Sequence, residues 1–411
     1  MKHAPTPAAL DDPQAIRCAG RDVLSVALID SRNRLLQLLA RDETAPALQR
    51  AALAGWYQEY WIARHVQRQR GEACDATAPR LAGIEPAAER WIQNGVAAPA
   101  QALRAYLQDT LETTLDLLTG SAESDAGLCF FRLALQHEDR HCEALALAQG
   151  AGNPPARPQR PALWFPGQRW QLGSVPGGLV PFTERWAHEV KVPEFEIDAQ
   201  PVNWSQFVEF ADDGGYDRPE LWGDEGSTWL QAQAAQGNGR RAPRDVEQLR
   251  GGVLVLRQQD GKKTLQRAAA GQPVLQVSRF EAQAWCAWAG RRLPAEPEWE
   301  LAACTASSRG YVWGEVLEWV AGRARAWPGA GPVPPGEVEA GLGAALDSRL
   351  VVDATAGAGL ADSAMAGAAL AGGVLRGATS ACHARWRHPK ARRFAALSDD
   401  VGPIGFRSCA V

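Results

Sequence analysis

Residues 151–163, AGNPPARPQRPAL, divide this 411-residue chain into two unlike halves. The stretch holds four prolines and no apolar periodicity. Proline fixes φ and has no amide hydrogen for a helix or an inner strand, so such a run reads as a linker. Each flanking half must then build its own core.

Before the linker, apolar residues recur at helical spacing. Within 20–43, Leu24, Leu28, Leu35 and Leu39 form one stripe. A second helix is predicted over about 46–70, with Gly71 as its stop. A third opens at Pro99 and closes at Gly120, and a fourth runs from about Asp125 to Gln149. Residues 1–150 are therefore expected to form a four-helix bundle, an architecture that builds ligand sites from inward-facing side chains. Over 164–411 short strand-like runs alternate with Gly, Pro and Asp turns. Two helical stretches interrupt them, NWSQFVEFADDGG and VSRFEAQAWCAWAGRRL with its continuation PEWELAAC. The expected fold class is α+β in two domains. A Gly-, Ala- and Pro-rich segment at about 328–373 offers little large side-chain surface and reads as a poorly packed excursion.

Charge and cysteine usage narrow the function. Lys+Arg number 43 and Asp+Glu 47, a formal charge of −4, which argues against nucleic acid or an anionic membrane as the partner. No run approaches the ~18 apolar residues of a membrane span, and the N-terminal MKHAPTPAALDDPQ lacks the apolar core of a secretory signal. Eight Cys without CxxC spacing read as reduced thiols, and the expected compartment is the cytoplasm. Sixteen Trp suit large irregular cores, and some could wall a cation pocket.

His137 and His141 are four apart on the fourth predicted helix, so their imidazoles leave one face a single turn apart. That spacing suits two adjacent positions on a metal ion, and the apolar turn before them, CFFRLAL, makes burial without partners costly. Glu143 is about 120° round the helix from His137, which favours a supporting acceptor or a solvated carboxylate over a ligand.

The phrase FFRLALQHEDRHCEALALA resembles the iron-binding helix of the ergothioneine sulfoxide synthases, and still more that of the selenoneine synthases. The second half resembles the formylglycine-generating-enzyme fold, which is C-type-lectin-like. It does so through ERWAHEV, PVNWSQFVEFADDGGYDRPELW, AQAWCAWAGRRLPAEPEWE, WGEVLEW, VLRG and GFRSCA. The early phrases ALIDSRNRLLQLLA and WYQEYWIARHVQR also look like the selenoneine branch. This resemblance implies a DinB-like bundle carrying the metal helix, joined to that second domain with the active cleft between them. It further implies non-haem Fe(II) at His137 and His141, supported by Glu138, Glu143 and Glu59. The implied reaction joins imidazole C2 of hercynine to a selenosugar or a thiol donor with dioxygen, giving a selenoxide or sulfoxide.

Departures from the family pattern are equally specific. The family's first iron His precedes the Trp-aromatic-Gln-Glu phrase by three residues; here that phrase is WYQE at 56–59 and the position is Leu53. His65 would lie about 18 Å along and roughly 120° round a continuous helix, too far to replace it. A two-His site completed by water or Glu59 is one expectation, and a non-catalytic relative that binds a small betaine is the alternative. No catalytic side chain is assigned. The sulfur-using branch implies a C-terminal-domain Tyr, yet no Tyr follows Tyr311. A copper site of the formylglycine type would need a second Cys at 387, which is Arg387, so Cys382 stands alone. His188 is expected to orient a loop or cap a strand. His383 and His388 flank Arg385, Arg387, Lys390, Arg392 and Arg393, read as a solvated basic face or, more sharply, a carboxylate or sugar site. Trp204, Trp222 and Trp229 are expected in the core.

Overall fold

The computed structural model describes residues 7–93, 98–259, 262–337 and 372–411. Its first part is helical: α1 (Pro7–Asp11), α2 (Pro13–Arg17), α3 (Arg21–Leu39), α4 (Ala45–Gln58), α5 (Ala88–Gln93), α6 (Ala100–Thr119) and α7 (Asp125–Ala148). Leu24, Leu28, Leu35 and Leu39 all point inward from α3 and are buried. Pro99 and Gly120 bracket α6, and the Ser124 hydroxyl caps α7 by accepting from the Gly127 amide. Helix α7 packs against α3 and α4 and is buried on nearly every side. Such a helix carries polar groups only where partners meet them. Glu138 is one case: it accepts two bonds from Arg32 of α3 and one from Gln58 of α4.

The second predicted helix is shorter than its sequence pattern. After Gln58 the backbone widens into a π turn, Glu59–Ala63, and leaves the helix at Arg64. Trp61 and His65 pack against Phe130 of α7, and a short 3-10 segment, Arg68–Ala73, then runs close under α7. Gly71 has φ +52°, and a Cβ there would meet the Ala126 backbone at 2.8 Å, so the close approach requires glycine. His65 therefore does not continue the α4 helix.

From Leu163 the chain turns to short strands. One sheet has the order β1 (Leu163–Phe165), β4 (Phe195–Ile197), β13 (Cys409–Ala410), β8 (Arg291–Arg292). A second runs β11 (Arg392–Ala395), β10 (Gly373–Gly377), β9 (Leu317–Trp319), β12 (Ile404–Phe406), with β12 parallel to β9. A pair, β2 (Gln168–Leu172) and β3 (His188–Val192), and a three-stranded sheet, β5 (Val246–Gln248), β6 (Leu254–Gln259) and β7 (Lys262–Arg267), complete the set. Helices α8 (Trp204–Asp212), α10 (Arg279–Trp288) and α11 (Glu296–Thr305) fall where the sequence predicts. Helix α9 (Gly223–Ala235) was not expected. Of its residues only Gly226 is buried, so it carries no apolar stripe to read.

Trp204, Trp222, Trp285, Trp299 and Trp319 are buried in one core, against which Trp229 packs half-exposed. Of the Gly/Ala-rich segment, residues 338–371 lie outside the described residues. On its flanks Ala330 and Glu337 are buried, and β10 begins at Gly373.

The two parts are clasped by charge. Arg17 donates to Glu184 at 2.7 and 2.9 Å, and Arg185 to Glu72 at 2.8 and 2.5 Å. Arg385 and Trp386 both donate to Asp139 of α7. The expected solvated face at 383–393 is thus corrected: Arg385, Arg392 and His388 are buried, because this segment is the seam itself. Among the described residues no helix is long and apolar enough to cross a membrane.

Candidate functional site

His137 and His141 are both buried, and their Nε2 atoms lie 3.1 Å apart with rings edge to face. Two nitrogens each about 2.1 Å from one ion, at right angles, would be about 3 Å apart. Tyr57 stacks on His137 at 4.5 Å between centroids, and its hydroxyl donates to the Gly336 carbonyl. Burial, with the charges of Arg50 and Arg140, pushes His141 down to about 3. Its imidazole is therefore neutral near pH 7, the form that ligates metals or exchanges a hydrogen bond. Among the described residues its Nδ1 has no hydrogen-bond partner, so packing sets the ring's orientation.

The facing wall is α4, antiparallel to α7. Gln58 bonds Glu138, Tyr57 meets His137, and Arg50 acts on His141. Leu53 is half-buried and lies one turn before Tyr57 on α4. It brings no donor atom.

The three sequence-proposed carboxylates have partners of their own. Glu138 is held by Arg32 and Gln58. Glu59 accepts from Tyr106 at 2.5 Å and from the Ile84 amide at 2.9 Å. Glu143 accepts from Thr379 at 2.5 Å and Arg393 at 3.0 Å, joining α7 to the second part. Among the described residues, no three His, Cys, Asp or Glu converge as a metal site. The two imidazoles could take two positions on a ferrous ion, and among the described residues no third donor converges on them.

A cavity of about 470 Å³ opens between α7 and the β9–β12 sheet; Gln136 and Arg140, sequence neighbours of the pair, line it, but neither imidazole does. Arg50, Gln136 and Arg140 line it from the helical side, and Leu317, Leu375 and Phe394 from the sheet. Glu337 also lines it; burial pushes its carboxyl up to about 7, although Arg185 and the Phe182 amide donate to it. Arg50, Tyr57, Arg140 and Glu337 were not singled out in the sequence. Tyr57 sits in the WYQE phrase and Arg140 between the two His, so their neighbourhoods were visible. Arg50 and Glu337 carried no such signal.

The remaining candidates fall elsewhere. His65 packs against Trp61 and Phe130, with Nδ1 3.2 Å from Arg80. His188 contacts the Trp186 carbonyl at the start of β3. Tyr311 is buried under the Arg407 guanidinium. Cys382 is a buried free thiol, its Sγ against the His383 carbonyl.

Residues 157–335 match the family model of the sulfatase-modifying factor enzyme 1-like domain. The chain is 30% identical over 369 residues to a hercynine oxygenase of Mycolicibacterium thermoresistibile, covering 81% of this chain and 78% of that protein. It is likewise 30% identical over 321 residues to the hercynine oxygenase of Mycobacterium tuberculosis, covering 71% and 72%. The formylglycine-generating enzyme of Mycobacterium tuberculosis is 32% identical over 163 residues, 37% of this chain and 54% of that one. With an imidazole pair on a buried helix, a second part of the sulfatase-modifying-factor type and likeness running through both, the chain belongs to the hercynine oxygenase family.

Proposed function

We propose that the protein is an iron-dependent oxygenase acting on hercynine, joining the imidazole C2 to selenium from a selenosugar or to sulfur from a thiol. The observation that carries this reading is the buried imidazole pair, with Nε2 atoms 3.1 Å apart, on the same helix that lines the interdomain cavity. The names of the relatives support the substrate, and the absence of any Tyr after Tyr311 favours the selenium donor. Iron held by His137 and His141 would supply dioxygen activation. The chain's own residues do the rest. Tyr57 fixes the His137 ring by stacking, burial together with Arg50 and Arg140 keeps His141 neutral, and Leu317, Leu375 and Phe394 exclude water from the bound ligand.

Leu53 favours a second reading, in which the protein keeps the scaffold and binds the betaine without oxidising it. Aerobic incubation of iron-loaded protein with hercynine and each donor, followed by mass spectrometry, separates the two. The coupled selenoxide or sulfoxide is expected; recovery of hercynine unchanged with every donor would leave only the binding role.

A further inference from the structure

A second cavity, of about 500 Å³, lies at the C-terminal end of α7, between residues 149–153 and the β5–β7 sheet. It is distinct from the first, since only Leu147, Gly402 and Pro403 line both. Its charges do not cancel. Lys263 and Asp245 pair at 2.5 Å, and Asp245 also accepts from the Gln276 side-chain amide at 2.9 Å. Arg257 lines the same space, and its guanidinium donates to one neutral acceptor, the Asn153 side-chain oxygen. No carboxylate among the described residues pairs with it. Burial pushes the guanidinium below its ordinary value, and no neighbouring charge offsets this. The carbonyls at the end of α7 are already taken: those of Leu145, Ala146 and Leu147 accept from the amides of Gln149, Ala151 and Gly150. Gln149 also lines the cavity, and among the described residues its buried side-chain oxygen has no donor. The backbone adds a further sign. Asp245 and Gln276, bonded to each other in this lining, have φ of 60° and 61°, and among the described residues no other non-glycine lies in the left-handed region. Such conformations cost free energy and gather at ligand sites.

We propose that this second cavity binds a small oxyanion, its phosphoryl or carboxylate group held on the Arg257 guanidinium. A guanidinium beside a cavity without a counter-ion is poorly compensated, and its planar fork suits two oxygens of one such group. The Lys263–Asp245 pair leaves the lining one positive charge in excess, so a single negative group balances it. The Gln149 oxygen offers the body of the ligand an acceptor for a hydroxyl or N–H, and the volume lies within the range of small-ligand sites. An occupant would tie the end of the histidine-bearing helix to strands β6 and β7. Neither Arg257 nor Gln149 lines the first cavity, so the assignment is independent of the hercynine reading.

The test is calorimetric titration of the full chain with sodium phosphate, sodium acetate and sodium chloride at one ionic strength, with melting temperature followed in parallel. Saturable binding of phosphate, acetate or both is expected, with a rise in melting temperature. Phosphate alone identifies a phosphoryl ligand, and acetate alone a carboxylate. Arg257→Gln should weaken the oxyanion at least tenfold, and Arg257→Lys should recover part of the loss, because the charge returns without the fork. Hercynine affinity should be the same in wild type and Arg257→Gln. Circular dichroism identifies a variant that misfolds, and the comparison of anions on wild type stands without any variant. No saturable oxyanion binding, equally tight chloride, binding unchanged in Arg257→Gln, or a parallel loss of hercynine would overturn the proposal. Absence of oxidised product while Arg257-dependent oxyanion binding persists would overturn only the oxygenase reading.

Discussion

Leu53 is the residue on which the proposed iron chemistry turns. It occupies the position where the family resemblance implies a further iron ligand, and its branched alkyl group offers no donor to accompany the two imidazoles of α7. Leu53→His should therefore raise metal affinity at least tenfold, read by titration with Co(II) and the ligand-field spectrum that follows. Unchanged binding would mean that position 53 does not reach the pair. A second residue-scale prediction concerns Arg32 and Glu138, both fully buried and doubly bonded at 2.9 and 2.8 Å. Removing one partner strands a charge in the core, so Arg32→Met should cost about 3–5 kcal/mol in urea unfolding, and Arg32→Met with Glu138→Leu should recover much of it.

Helix α7 is the element that unites fold and site. Its N-cap is Ser124, whose hydroxyl accepts at 3.1 Å from Gly127. Ser124→Ala should cost about 1 kcal/mol in a denaturant melt while leaving ligand affinity intact, since the His pair is more than three turns away. Gly71 is the stricter requirement. Alanine there would combine a strained positive φ with a clash against the α7 backbone, and a loss of about 1–3 kcal/mol is expected from thermal unfolding. No comparable loss would indicate that the segment 68–73 can move off α7.

At the scale of the molecule, the seam is the acid-sensitive part. His388 is buried beside Arg17, and burial first and then that charge push it down to about 4. Glu184 is lowered to about 2, because Arg17 outweighs the opposing effect of burial. Both folded values lie below the unfolded ones, so the unfolded chain takes up protons first. Their contribution is full above about pH 6.5, then falls by up to about 3 kcal/mol as His388's window from 6.5 to 4 is crossed, with Glu184 adding its share between 4.5 and 2, while Glu337, raised to about 7, acts in the opposite sense between 7 and 4.5. The melting-temperature difference between wild type and His388→Asn, measured from pH 8 to 4, should change as pH falls below about 6.5. A profile identical in the variant would remove His388 from the account.

The primary structure alone determined the helical character of the first half, the strand-rich second half and the helix carrying His137 and His141, because local periodicity and punctuation encode them directly. Through the family resemblance it also marked Leu53 as the position where a further ligand is expected. It did not reveal α9, which lacks an apolar stripe, or the early end of α4, whose residues keep helical propensity while packing against Phe130 pulls them into a π turn. The basic run 385–393 could not be told from a solvated face, because charge says nothing of burial until Asp139, Glu143 and Glu296 arrive from distant parts of the chain. Arg50 and Asp399 are 349 positions apart in sequence, and only the tertiary fold makes them walls of one cavity, since proximity between remote residues is a property of packing and not of order along the chain.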